Sequence, residues 1–272
     1  MSCLPISPLG LRIMKRNLHF SSIAWRSELG LHREGNEDSG LISSNLAAVA
    51  DGMGGYVGGE IASKTAIQTL SELLPILNSD ELDPQSRDEI YRNSLIEIDS
   101  ALKKITDERP ELDGMGTTLT SLALFDNQAI LLHVGDSRAY RIRGKKITQL
   151  SHDHTVVQEL IDQGRITADE ASEHPQRSFL TQALMGKSNV EGVLLLFPVE
   201  DGDIYLLCSD GLTVVVDEGK IAAAFKDDLH AGVDSLVDLT YKKDAPDNVT
   251  VIAIRIGETK VDMPIQLIGA AQ

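Results

Sequence analysis

The most constraining stretch of this 272-residue chain is residues 46–60, LAAVADGMGGYVGGE. An apolar run of strand length, Leu46-Ala47-Ala48-Val49-Ala50, drives into an Asp51-Gly52 corner, and Gly54, Gly55, Gly58 and Gly59 follow. Beyond them, Ile61-Ala62-Ser63-Lys64 begins a helical pattern. A strand that delivers a carboxylate to its C-terminal edge, followed by residues without a Cβ, leaves an open, electronegative lip. An isolated Asp-Gly pair is ordinarily a structural turn. Here three further Asp-centred corners share the same build, which a turn alone does not explain.

Along the chain, residues 20–31 read as one or two short strands ending in a polar, turn-forming tail through Glu37-Asp38. After the glycine loop, Ala66, Ile67, Leu70, Leu73, Leu74 and Leu77 recur at helical spacing. A second helix carries Tyr91, Leu95, Ile98, Leu102 and Ile105 on one face, and Pro110 closes it. The short connection predicts an antiparallel helix pair laid on a sheet. The period then changes to that of strands over 116–125, 129–134, 139–143 and 146–150, an antiparallel meander with tight turns such as Asp126-Asn127. Residues 153–184 return to a broken helical pattern, read as an excursion at the rim of the sheet. Strands at 193–197 and 204–208 follow, the second delivering Ser209-Asp210-Gly211. Helices at about 218–225 and 231–243 lead to Asp247-Asn248 and a last strand, 249–256.

Acids therefore stand at the ends of apolar strands: Glu37-Asp38, Asp51-Gly52, Asp210-Gly211, Asp247-Asn248, and Asp136 in Gly135-Asp136-Ser137. Carboxylates gathered within a few ångströms repel one another unless cations neutralise them. Oxygen ligands without cysteine or paired histidine favour Mg²⁺ or Mn²⁺ over Zn²⁺. Two such ions about 3.5–4 Å apart can activate water and clamp a phosphoryl oxygen. Arg33 is the best-placed cation for phosphate; the competing reading is a surface salt bridge to Glu34 or Glu37. Arg138 reads as holding its strand turn or pairing with a nearby Asp. His152 and His154 read as structural or rim residues, His133 as core, and Met53 as packing under the loop.

Bulk properties bound the alternatives. The net charge is −16 with a pI near 4.8, and aromatic residues make up only 4%. That balance argues against nucleic-acid binding, which needs basic grooves and stacking rings. The two cysteines, Cys3 and Cys208, make neither a disulfide framework nor a zinc site and suit a reducing cytosol. Residues 1–16 lack a continuous apolar core of the secretory kind, and no apolar run approaches 18 residues. A cytoplasmic protein without a membrane segment is expected. Residues 1–19 read as a disordered leader, 20–257 as the functional domain with a rim segment at about 148–184, and 258–272 as a loosely ordered tail.

The motifs Arg33-Glu34-Gly35-Asn36-Glu37-Asp38, Asp51-Gly52-Met53-Gly54-Gly55, Gly116-Thr117-Thr118, Gly135-Asp136-Ser137-Arg138, Ser209-Asp210-Gly211 and Asp247-Asn248-Val249-Thr250 occur in one telling order. It resembles that of metal-dependent Ser/Thr protein phosphatases of the PPM/PP2C family, and the bacterial branch most of all. The resemblance covers about residues 22–256, and the rim segment resembles that branch's mobile flap. It implies an α+β fold, a four-layer α-β-β-α sandwich of two antiparallel sheets with a helix pair on each outer face. It implies two Mn²⁺ or Mg²⁺ ions in the core site and a third in bacterial members. Carried over by motif, Asp51 bridges the two metals, the Gly52 carbonyl binds one, and Asp210 and Asp247 complete the inner shell. Glu37 and Asp38 act mainly through metal-bound waters, Asp136 with Asp210 holds the third ion, and Arg33 grips the phosphate.

The implied reaction is hydrolysis of phosphoserine or phosphothreonine on proteins by a metal-bridging hydroxide, reversing bacterial Ser/Thr kinase signalling. Phosphorylated proteins, kinases among them, are the implied partners of a monomeric enzyme. Animal members place a His at the position of Met53, so the general acid is unassigned here. Two other departures are the apolar Val214-Val215-Val216 and the Lys242-Lys243-Asp244-Ala245 approach to the last Asp. A catalytically silent binding module would ordinarily have lost metal ligands, and every ligand position here holds the expected acid. A phosphatase dedicated to one anti-sigma-antagonist-like partner remains a third reading.

Overall fold

The computed structural model describes residues 17–54, 58–188, 190–226 and 228–272. The chain runs β1 (His19–Glu28), β2 (Asp38–Ile42), β3 (Leu46–Met53), α1 (Gly58–Leu77), α2 (Pro84–Glu108), β4 (Gly116–Thr117), β5 (Leu119–Phe125) and β6 (Gln128–Val134). Next come β7 (Arg138–Arg143), β8 (Lys146–Gln149), α3 (Val156–Asp162), α4 (Ala168–Ser172), β9 (Val193–Pro198) and β10 (Ile204–Cys208). It closes with α5 (Asp210–Thr213), α6 (Glu218–Ala224), α7 (Leu229–Lys242), β11 (Val249–Gly257) and β12 (Gln266–Gly269).

Two antiparallel sheets form, one ordered β1-β11-β10-β7-β8 and the other β12-β2-β3-β5-β6-β9, with β4 beside β3. Strand alternation sets the layers, because successive side chains point to opposite faces. On β3, Leu46, Ala48 and Ala50 face Leu70, Leu74, Tyr91 and Ile98 of α1 and α2. Ala47 and Val49 face the opposite sheet, against Ile252 and Ile254 of β11. On β10, Tyr205 and Leu207 join that inter-sheet core, while Leu206 and Cys208 face Leu236 and Val237 of α7. The result is α1/α2, sheet, sheet, α6/α7: the four-layer α-β-β-α sandwich.

Local chemistry sets the helix ends. Asp83 caps α2 by accepting from the Ser86 N–H at 3.0 Å, with Pro84 at the first helical position. Thr155 and Thr167 cap α3 and α4 in the same way, and Thr167 with Glu170 makes a full capping box. Residues 153–184, expected to be broken helix, hold only these two short helices; the remainder runs in turns and bridges Leu180 to Thr155 and Leu184 to Thr117. Ser209-Asp210-Gly211, expected as a bare corner, opens the single turn of α5.

The tail corrects an expectation. Residues 258–272 are not loose throughout: β12 pairs with β2 in register Leu267↔Leu41, and Ile268 and Ala271 are buried. Its four-residue strand is too short for periodicity to reveal, and its burial comes from the edge it covers. The expected leader falls mostly outside the described residues. Of its last three positions, Leu18 already donates its N–H to Asn127 Oδ1 at 2.6 Å, and His19 begins β1.

Candidate metal centre

The acids reach one end of the sandwich from both sheets. Asp38 opens β2 and Asp51 lies near the end of β3, and the antiparallel register sets the two directly opposite. In the other sheet, Asp210 begins α5 just after β10, and Asp247 precedes β11, its neighbour strand. Asp136 sits in the turn between β6 and β7, one strand of each sheet. A cleft of about 470 Å³ opens there, lined by Arg33, Glu37, Asp51, Asp136, Asp210 and Asp247, with Gly52 and Met53 at its floor. Asp38 is not on the cleft wall; it is buried behind it, 1% exposed.

Glycine lets these corners close. A Cβ on Gly52 would collide with the Gly59 carbonyl and stand 2.6 Å from the Glu37 carbonyl oxygen. The Gly52 N–H donates to that same Glu37 oxygen at 3.1 Å. At Gly211 a Cβ would strike the Asn248 carbonyl, so the Asp210 and Asp247 corners can touch only through glycine.

Hydroxyls and an amide hold the acids in place. The Asp51 N–H donates to Thr118 Oγ1 at 2.9 Å, and its carbonyl accepts from Thr118 N and Thr117 Oγ1, both at 3.0 Å. Ser209 Oγ donates to Asp38 Oδ2 at 2.7 Å. Asn248 Oδ1 accepts the Glu37 N–H at 2.9 Å, and its Nδ2 donates to the Gly35 carbonyl at 3.1 Å. The supporting roles of Thr118, Ser209 and Asn248 escaped the sequence reading. Each stands inside a recognised motif, but only the folded register shows what it bonds.

The acids disfavour one another's ionised forms. Burial first, and then Asp38, Asp210, Asp136 and Asp247 in turn, push Asp51 well above the usual carboxylate range. Asp38 is raised to about 7 by burial, its Ser209 bond offsetting part of that. Asp136 is raised to about 7 by burial and then by Asp210. Asp210 is raised to about 6 by burial and then by Asp247, while a hydrogen bond with Asp51 pulls it back. Glu37 is also raised, mainly by burial, with Arg33 opposing.

Arg33 pairs with neither Glu34 nor Glu37 in a salt bridge. Its Nη2 donates to Asp247 Oδ2 at 2.5 Å. Arg138 makes a forked bond to Asp153, Nη2 to Oδ2 at 2.6 Å, and does not line the cleft. His133 is buried against Thr120 Oγ1 (2.9 Å) and the His152 carbonyl (3.0 Å). His152 reaches Asp162 at 2.7 Å, and the buried His154 ring accepts the Gly135 N–H at 3.1 Å.

The donor set fits a hard divalent cation. It consists of oxygen ligands alone, in a pocket where burial and mutual repulsion penalise the ionised carboxylates. Among the described residues no three of these side chains are gathered tightly enough to hold an ion as they stand. Asp247 is engaged by Arg33, so an incoming cation must displace the guanidinium.

A sandwich of this build, with acids from both sheets at one end, points to one protein family, and the comparisons show which. The family model described as Protein phosphatase 2C matches residues 36–238. PstP, a serine/threonine protein phosphatase of Mycobacterium tuberculosis, is 40% identical over 237 residues, covering 84% of this chain. The Ser/Thr phosphatase stp of Listeria welshimeri is 32% identical over 241 residues, 85% of this chain and 94% of its own length. A crystal structure of the PstP catalytic domain in complex with two manganese ions superposes with a TM-score of 0.80. It is 36% identical, covering 89% of this chain and all of that one. This chain belongs to the protein phosphatase 2C (PPM) family. It spans 44% of the length of PstP.

Proposed function

We propose that the chain hydrolyses phosphoserine and phosphothreonine esters on proteins in a reaction dependent on Mn²⁺ or Mg²⁺, reversing Ser/Thr kinase signalling. The observation that carries this reading is the convergence of Asp51, Asp136, Asp210 and Asp247, from both sheets, on one cleft beside Arg33. Substrates are phosphorylated proteins, kinases among them, met by a monomeric enzyme in the cytoplasm. No described helix is long and apolar enough to cross a membrane.

When bound, the divalent ions supply the acidity that makes water a nucleophile and the positive charge that phosphoryl oxygens need. Asp51, Asp210, Asp247 and the Gly52 carbonyl would hold the core pair. Glu37 and Asp38 would act through intervening water, and Asp136 with Asp210 would take a third ion. Arg33 leaves Asp247 to fork onto the phosphate oxygens, a geometry that guanidinium suits better than ammonium. Thr118 and Ser209 keep Asp51 and Asp38 from turning away. Met53 lines the cleft without a transferable proton, so the leaving alkoxide draws its proton from water. The buried thiol of Cys208 is pushed up to about 12, chiefly by burial, which disfavours a covalent route through it. The test is release of phosphate from a phosphothreonine peptide. Turnover with Mn²⁺ that EDTA abolishes supports the reading, and turnover indifferent to EDTA contradicts it.

A further inference from the structure

The cleft has a second wall that the family motifs do not supply. Leu180, Gln182, Ala183 and Met185, from the segment between β8 and β9, line it opposite the acids. That segment leaves and rejoins the body at two anchored ends. At its start, Asp153 takes the forked bond from Arg138, the His154 N–H donates to the Gly135 carbonyl (2.8 Å), and Thr155 bridges to Leu180. At its end, Leu184 exchanges two 2.9 Å backbone bonds with Thr117.

Immediately beyond Leu184 lies an arrangement with no role in the chemistry above. Asp99, in the middle of α2 and 3% exposed, turns its carboxylate onto the returning loop. Its Oδ1 accepts the Met185 N–H (3.1 Å) and the Gly186 N–H (2.7 Å), and its Oδ2 accepts the Ser188 N–H (2.7 Å). Three backbone donors meeting one buried charge make a strong, directional clamp. The nearest helical lysine, Lys103, is committed to Asp107 at 2.8 Å. Gly186, at φ +71°, lies so close that a Cβ would stand 2.6 Å from the Lys103 nitrogen. The loop is therefore seated on the α2 backbone at Leu102 and Lys103 and held by Asp99 one turn earlier on the same helix.

We infer that Asp99 is a positioning residue for substrate: by clamping residues 185–188 to α2 it fixes the Met185 wall against which the residues flanking the phosphorylated side chain lie. The inference rests on the phosphatase reading and deepens it. Asp51 is held by its pairing with Asp38 and by Thr118, and it meets the returning loop only through Thr117, whose bonds to Leu184 Asp99 does not make, so the clamp governs the peptide side of the cleft more than the acids. A small aryl phosphate, which has no flanking residues, does not need it.

The experiment compares a phosphothreonine peptide with p-nitrophenyl phosphate, both at saturating Mn²⁺, for the wild-type chain, Asp99→Asn and Gly186→Ala. Asparagine keeps the volume but sets an NH₂ group against the Ser188 N–H or the Met185 and Gly186 pair. Alanine at 186 pushes the loop off α2 with Asp99 intact, and serves should Asp99→Asn fold poorly. The expected result is a peptide KM raised on the order of tenfold in both variants, with kcat on the aryl phosphate within about twofold of wild type. Unchanged peptide KM, or parallel loss on both substrates, would overturn the positioning role while leaving the phosphatase reading intact. A wild-type chain inactive on the peptide with Mn²⁺ would overturn both.

Discussion

Burial, and then four other aspartates, push Asp51 well above the usual carboxylate range. A group so placed destabilises the metal-free fold and is retained for what it binds. Asp51→Asn should therefore lower turnover by about 10³-fold or more. It should also raise the melting temperature of the metal-free protein, because an uncharged amide removes the repulsion. Loss of activity together with a lowered metal-free Tm, followed by calorimetry, would speak against this account. Arg33 is in a different position, because it neutralises Asp247 when no phosphate is present. Arg33→Ala should raise the KM for phosphopeptide by about tenfold while leaving Mn²⁺ affinity equal or tighter. Weaker Mn²⁺ binding in that variant would mean that the guanidinium organises the ligands, and its partnership with Asp247 would need another explanation.

At the scale of elements, the corners were legible and the pairings were not. Each acid adjoins an apolar run, so the sequence shows that strands deliver carboxylates, and strand 204–208 falls where periodicity puts it. The partition into two sheets cannot be read locally. β1 lies against β11 with His19 opposite Gly257, a pairing that only long-range closure decides. For the same reason Asn248 and Asp99 gave no warning of their roles: their partners, Glu37 and residues 185–188, are remote in sequence. β12 was missed because four residues beside a sheet edge carry too little pattern. The helix pair is the opposite case, since Leu70, Leu74, Tyr91 and Ile98 announce their buried stripe and are all at most 1% exposed. Leu70→Ala should cost about 2–5 kcal/mol in urea unfolding, the usual range for a fully enclosed leucine. A cost under about 1 kcal/mol would show that α1 is not seated on the sheet through this stripe.

For the molecule as a whole, the raised carboxyls tie folding to both protons and cations. Asp38 and Asp136 near 7 and Asp210 near 6 all lie above the value of an unfolded carboxyl. Between about pH 4 and 7 the folded, metal-free chain thus holds protons that the unfolded chain releases, and its stability falls as pH rises through that window. Divalent ions replace those protons, so Mn²⁺ should raise Tm by about 5 °C or more at pH near 7.5 and by much less near pH 5. A Mn²⁺ shift independent of pH would detach the ions from these groups. The most direct test of the central claim is anomalous diffraction at the manganese edge from crystals soaked in Mn²⁺. Two strong peaks bridged by Asp51, with Asp210 and Asp247 as further ligands, are the predicted result. Peaks only elsewhere on this acidic surface, or none in the cleft, would contradict it.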